Sequence, residues 1–227
     1  MRDVQGCCLS AEELNLVAPP GTAEVFSLTQ EEPLIPASGD EVFDRALGRA
    51  LVRLARTFDV RPGFAYIDDG QSKNAYATPE TRIPRTHGTV LFGLNLLREA
   101  LHMGIGGDIA VLGICAHEFA HIFQFFSHYY RELESRHHTV KLIELHADYL
   151  SGYFIGRLKQ DRPSIRLYNF GRLINSIGDT NFNNPSHHGT SEERVRAAET
   201  GFRAASSVSS AQSAARQGFE FVVRSFT

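Results

Sequence analysis

The sequence predicts an α+β fold, mostly helical, with a small antiparallel sheet beside one buried helix. Three observations predict it. Apolar residues run from Ile109 to Phe126 on nearly every side, with His117-Glu118-Phe119-Ala120-His121 at the centre. Helical spacing recurs over 40–58, 131–158 and 190–202. Three short runs of strand character lie at 64–67, 74–78 and 88–93. With 227 residues the chain has room for one good-sized core, so the expected organisation is an extended arm over 1–39 and a single domain over 40–227.

Composition narrows the function classes. Hydrophobic residues make up 42% and charged residues 22%, with a formal net charge of −3 and no evident basic patch, so no nucleic-acid partner is expected. No transmembrane segment is expected, because the one long apolar run is interrupted by two histidines and a glutamate. Met1 to Ser10 lacks the apolar core of a secretory signal, which favours a cytoplasmic location. Three cysteines, Cys7, Cys8 and Cys115, are too few for a disulfide framework.

Taken in order, Pro19-Pro20-Gly21, Pro33 and Pro36 mark residues 1–39 as extended. From Asp40 the residues Phe43, Leu47, Leu51, Leu54 and Phe58 recur at helical spacing behind Asp40 or Ser38 as cap. Pro62-Gly63 and Asp68-Asp69-Gly70 bracket the first strand. Asn74-Ala75-Tyr76-Ala77-Thr78 forms the second, whose edge either holds a peptide by strand addition or simply covers the core. Gly88 to Gly93 is the third, and Leu94 to Met103 a helix broken by Gly104, Gly106 and Gly107. Asp108 is the expected cap of the central helix. A single long helix is expected from Arg131 to Leu158, another from Ser164 to Ile177, and an Asn-rich loop from Asp179 to Pro185. Thr190 or Ser191 with Glu192 or Glu193 reads as a capped start for a helix running through Phe202. The last element is a helix or strand over Phe219 to Phe226.

The central motif carries the chemistry. Residues four apart on a helix share a face, so His117 and His121 can both point at one metal ion with Glu118 beside them. Catalytic zinc takes three protein ligands and leaves a position for water. A metzincin-type third histidine is excluded, because Gln124 and Ser127 stand where glycine and histidine are required and His128 is out of register. Glu144 is the better third ligand, since it lies with Asp148 at i, i+4 inside an apolar run, where two acids need a partner. His146 is its rival and projects from nearly the opposite side. Asp148 is placed to accept a hydrogen bond from a ligating histidine. His102, His128, His137 and His138 read as surface or supporting residues.

These residues resemble a known group. His117-Glu118-Phe119-Ala120-His121 followed by Glu144-Leu145-His146-Ala147-Asp148 is similar to the gluzincin metallopeptidases, most closely the neutral zinc metallopeptidase family and more distantly the HtpX and CAAX-prenyl-protease type. Asn74-Ala75-Tyr76-Ala77 with Gly88-Thr89-Val90 resembles their active-site edge strand, and His188-Gly189-Thr190-Ser191-Glu192-Glu193-Arg194-Val195 their closing motif. The resemblance covers about 74–202. It implies a zincin-like domain holding one Zn2+ per chain on His117, His121 and Glu144, with Glu118 as catalytic base. Asp148 would orient a ligand, and His188 and Arg194 would lie close to the site. Asn74, Ala75, Tyr76 and Ala77 would bind a peptide or protein substrate. The membrane helices of the HtpX type are missing, and His188-Gly189 replaces its His-Pro. Two other readings use the same donors: a ferrous-iron enzyme activating oxygen, and a metal-keeping binding module. Glu118 argues against the second, since a structural site needs no base.

Overall fold

The computed structural model describes residues 33–71, 73–102, 106–164 and 187–227. The Cys7-Cys8 pair, most of the arm, most of the Ser164–Ile177 helix and the Asn-rich loop lie outside them. Among the described residues the first helix is α1, Glu41–Phe58, whose cap Asp40 accepts hydrogen bonds from the backbone N–H groups of Val42 and Phe43 at 2.9 and 3.0 Å. Residues just before it lie against the fold. Ile35 bridges Tyr66 antiparallel, and Asp44 accepts bonds from both the Ser38 backbone and the Tyr66 hydroxyl.

Strands β1 (Gly63–Ile67), β2 (Ala75–Thr78) and β3 (Thr89–Gly93) form a sheet in the order β1-β3-β2. The sheet is mixed, which corrects the antiparallel expectation: β1 pairs parallel with β3 and only β2 runs antiparallel to it. Both faces are covered. Tyr66, Ala75, Ala77, Val90 and Phe92 join the main core, while Ala65, Ile67, Tyr76 and Leu91 pack on the other side against Leu34 and Ile83. Burial on both faces removes the in-out alternation by which a sequence announces strand direction. Asn74 precedes β2, with its carbonyl bound by the Gly93 backbone N–H at 2.9 Å.

Helix α2 (Leu94–His102) leads to α3 (Gly107–Phe126), which is buried along nearly its whole length. Gly106, not Asp108, is its cap, at a φ of 95° that glycine adopts without strain. Asp108 sits in the first turn, where a negative charge is favoured by the helix dipole. By length and composition α3 could cross a membrane, but 89% of its most apolar stretch is buried inside the fold.

The expected long helix is two: α4 (Tyr129–Glu134) and α5 (Lys141–Asp161). Between them Ser135 donates to the Glu132 carbonyl, and Thr139 accepts from the Lys141 backbone N–H. Such local side-chain bonds compete with helix continuation. Helix α6 (Ser191–Ala204) opens on a capping box, with Thr190 bonding the Glu193 N–H at 3.2 Å and Glu193 returning to the Thr190 N–H at 2.9 Å. Helix α7 (Ala211–Phe226) extends the last expected element to Ser210, whose hydroxyl caps it.

The α5–α6 contact positions the site. A Cβ on Gly152 would lie 1.9 Å from the Ala198 carbonyl oxygen, and one on Gly201 would lie 1.8 Å from the Tyr149 carbonyl oxygen. The two backbones touch there, and only hydrogen fits. Gly201→Ala is expected to cost about 1–3 kcal/mol, or several degrees in Tm, by forcing the helices apart. Thermal unfolding checks it, with Gly48→Ala, at an open position in α1, as the neutral control.

Candidate metal centre

Where α3 crosses α5, three side chains converge. His117 and His121 stand one turn apart on α3, and their Nε2 atoms are 2.9 Å from each other. Glu144, from the first turn of α5, brings one carboxylate oxygen to 3.3 Å from His117 Nε2 and the other to 3.6 Å from His121 Nε2. All three are buried. The crossing supplies this convergence because each helix is buried along most of its length and the two meet directly, Ser151 of α5 donating to the Gly113 carbonyl of α3 at 3.0 Å.

Asp148, one turn beyond Glu144, faces the other nitrogen of the same ring, with Nδ1 of His117 3.0 Å from its Oδ1. The i, i+4 acids of α5 thus hold one imidazole between them. Arg194 completes the cluster from α6, donating to both oxygens of Asp148 at 2.7 and 3.0 Å and approaching Glu144 at 3.5 Å. The capping box one residue earlier fixes the start of α6, and so the direction of this guanidinium. His188, just ahead of α6, sets Nδ1 3.3 Å from Glu144 Oε2. His121 is held on its outer nitrogen by Gln124, with Nδ1 2.7 Å from the amide oxygen.

Hydrogen bonding determines which nitrogens face inward. Asp148 Oδ1, an acceptor only, lies 3.0 Å from Nδ1 of His117 and so favours the proton on that nitrogen and the lone pair on Nε2. Burial drives the His121 pKa down to about 3 against the pull of Glu144, so that ring is neutral. Burial also opposes ionisation of Glu144, but the neighbouring histidines, His188 first, outweigh it and hold its carboxyl well below the usual range. Asp148 is lowered in the same way: burial raises it, and Arg194 with His117 overcome that.

This donor set fits a divalent cation. Tetrahedral ligands at about 2.0–2.1 Å from zinc stand about 3.3 Å apart; the two Nε2 atoms are 2.9 Å apart, and each has a Glu144 oxygen, Oε2 and Oε1 respectively, at 3.3 and 3.6 Å. Among the described residues the buried acids are Glu118, Glu144 and Asp148, and the buried strong base is Arg194 alone. Three carboxyl groups against one guanidinium leave this core richer in acid than in base, an excess that a bound cation would offset.

Of the residues singled out in the sequence, His117, His121, Glu144, Asp148, His188 and Arg194 are brought together. Glu118 is buried in the same turn of α3. His146 turns away, placing Nε2 2.9 Å from the Ala215 carbonyl. Ala75 and Ala77 join the core beside α3, and Tyr76 faces the opposite side of the sheet. His102, His128 and His138 are exposed and His137 half-buried. Sequence reasoning used Gln124 only to exclude a motif and missed its bond to His121. A lone amide in so apolar a helix was the available signal. No family model matches this chain, and neither does any curated protein or solved structure.

Burial ties the fold to pH. His121 and His146, with pKa values of about 3 and about 4, stay neutral when folded but take up protons below about pH 6.5 when unfolded. Their lowered values contribute stability above that point, and it is lost as pH falls toward the folded values. Metal-stripped protein is expected to lose roughly 1 kcal/mol per pH unit for each group between pH 6 and 4. Urea unfolding across that range measures it.

Proposed function

We propose that this chain is a zinc-dependent metallopeptidase of zincin-like architecture, with His117, His121 and Glu144 as metal ligands. The observation that carries the reading is the convergence of two imidazole Nε2 atoms and one carboxylate in a buried site, with Glu118 next to His117 on the same helix. A zinc ion held there would lower the pKa of a bound water to about 7 and polarise a carbonyl.

The chain's own residues do the rest. Glu118 accepts the proton of the attacking water and passes it to the departing nitrogen of a peptide bond. Asp148, itself gripped by Arg194, keeps His117 turned with Nε2 inward and raises its basicity. His188, against Glu144 through Nδ1, is the side chain that would donate to a developing oxyanion, an effect worth about 3 kcal/mol when aligned. Strand β2, packed beside α3, is the element that would hold a peptide or protein substrate extended, through Ala75, Tyr76 and Ala77 with Asn74 at its entry.

Two substitutions test the parts separately. Glu118→Gln is expected to retain one equivalent of zinc and lose turnover by at least about 1000-fold, since it removes the base and keeps the ligands. His117→Ala is expected to lose the metal itself. Elemental analysis after preparation without added metal, with cleavage of a random peptide library, reads both. Full activity in Glu118→Gln would sink the base assignment, and recovery of iron in place of zinc would favour oxygen chemistry on the same ligands.

A further inference from the structure

Gln124 and His146 are fully buried, and the proposed hydrolysis uses neither. They are joined end to end. The Gln124 amide nitrogen lies 2.9 Å from the carbonyl oxygen of Ile143 and 2.9 Å from Nδ1 of His146, while its amide oxygen faces His121. His146 reaches the Ala215 carbonyl, in α7, with its other nitrogen.

Two backbone carbonyls fix the direction of every bond in this series. A carbonyl only accepts, so Ile143 requires an N–H from Gln124, and turning the amide round would set two oxygens 2.9 Å apart. Ala215 likewise requires the Nε2 proton of His146, which leaves a lone pair on Nδ1 to take the second amide N–H. Gln124 has then used both donors, and only its oxygen remains for His121. His121 must donate from Nδ1. Its lone pair is therefore on Nε2, the nitrogen aimed at His117 and Glu144.

We propose that Gln124 and His146 are positioning residues of the metal centre, carrying hydrogen-bond direction from the C-terminal helix to His121 and selecting Nε2 as its ligating nitrogen. The ligand role rests on the metal-centre reading above, but the direction of the bonds does not. Gly218 lets α7 come close enough for this, since a Cβ there would lie 3.1 Å from the His146 ring and 2.7 Å from that of Tyr149. Docking of α7 is thus part of what sets metal affinity.

Zinc competition against a chromophoric chelator, on the full chain, orders three variants. Gln124→Leu is expected to bind zinc about 10–100-fold more weakly, because His121 loses its acceptor. Gln124→Glu keeps an acceptor and should stay within several-fold of the parent, while unfolding more easily because a carboxylate then faces the Ile143 carbonyl. His146→Phe, which leaves Ile143 still holding the amide, should fall between them. A packing role alone gives the reverse order, with Leu tolerated and Glu not. Long-range proton–nitrogen NMR of the metal-stripped parent reads the tautomer directly, with the proton expected on Nδ1 of His121. A proton on Nε2, or Gln124→Leu binding zinc like the parent, overturns the proposal. A parent that takes up no zinc sinks the metal-centre reading, and the NMR result then decides for or against the bond direction by itself.

Discussion

Two imidazole lone pairs and a carboxylate pointed into one buried space repel one another, and that repulsion is the constraint around which this molecule is built. Protonating His121 does not relieve it, because burial keeps that ring neutral at any ordinary pH. A divalent cation held there, as proposed above, would remove it. The apolar character of α3 and α5, which would otherwise be ordinary core, is what turns three polar side chains into a strong binding demand.

Holding such a cluster together requires help from outside it. The close α5–α6 contact brings a guanidinium from a distant part of the sequence onto Asp148, and through it steadies His117. Without that approach Asp148 would be a buried charge beside a neutral ring. The sheet plays a simpler part, covering α3 with the small side chains of Ala75 and Ala77.

The sequence made some of this legible and hid the rest for physical reasons. His117 and His121 could be read because i, i+4 geometry is local to one helix, and Glu144 with Asp148 because two acids in an apolar run must be satisfied somewhere. The Thr190–Glu193 box was readable on the same ground. The parallel pairing of β1 and β3 was not, since strands buried on both faces carry no alternation. Gly106 displaced Asp108 as a cap because a left-handed turn precedes α3, which composition does not announce. Gln124 and His146 looked like isolated polar residues on separate helices. Their connection exists only once the helices cross.

The topology has a consequence for the order of events during synthesis. Residues 117 and 121 leave the ribosome well before Glu144, later still comes Arg194, and Ala215 after that. A nascent chain therefore holds two histidines long before it holds the whole cluster, and on the metal-centre reading proposed above tight capture of an ion would wait on α7. A bound ion would then tie α7 to the middle of the fold, resisting its detachment by mass action.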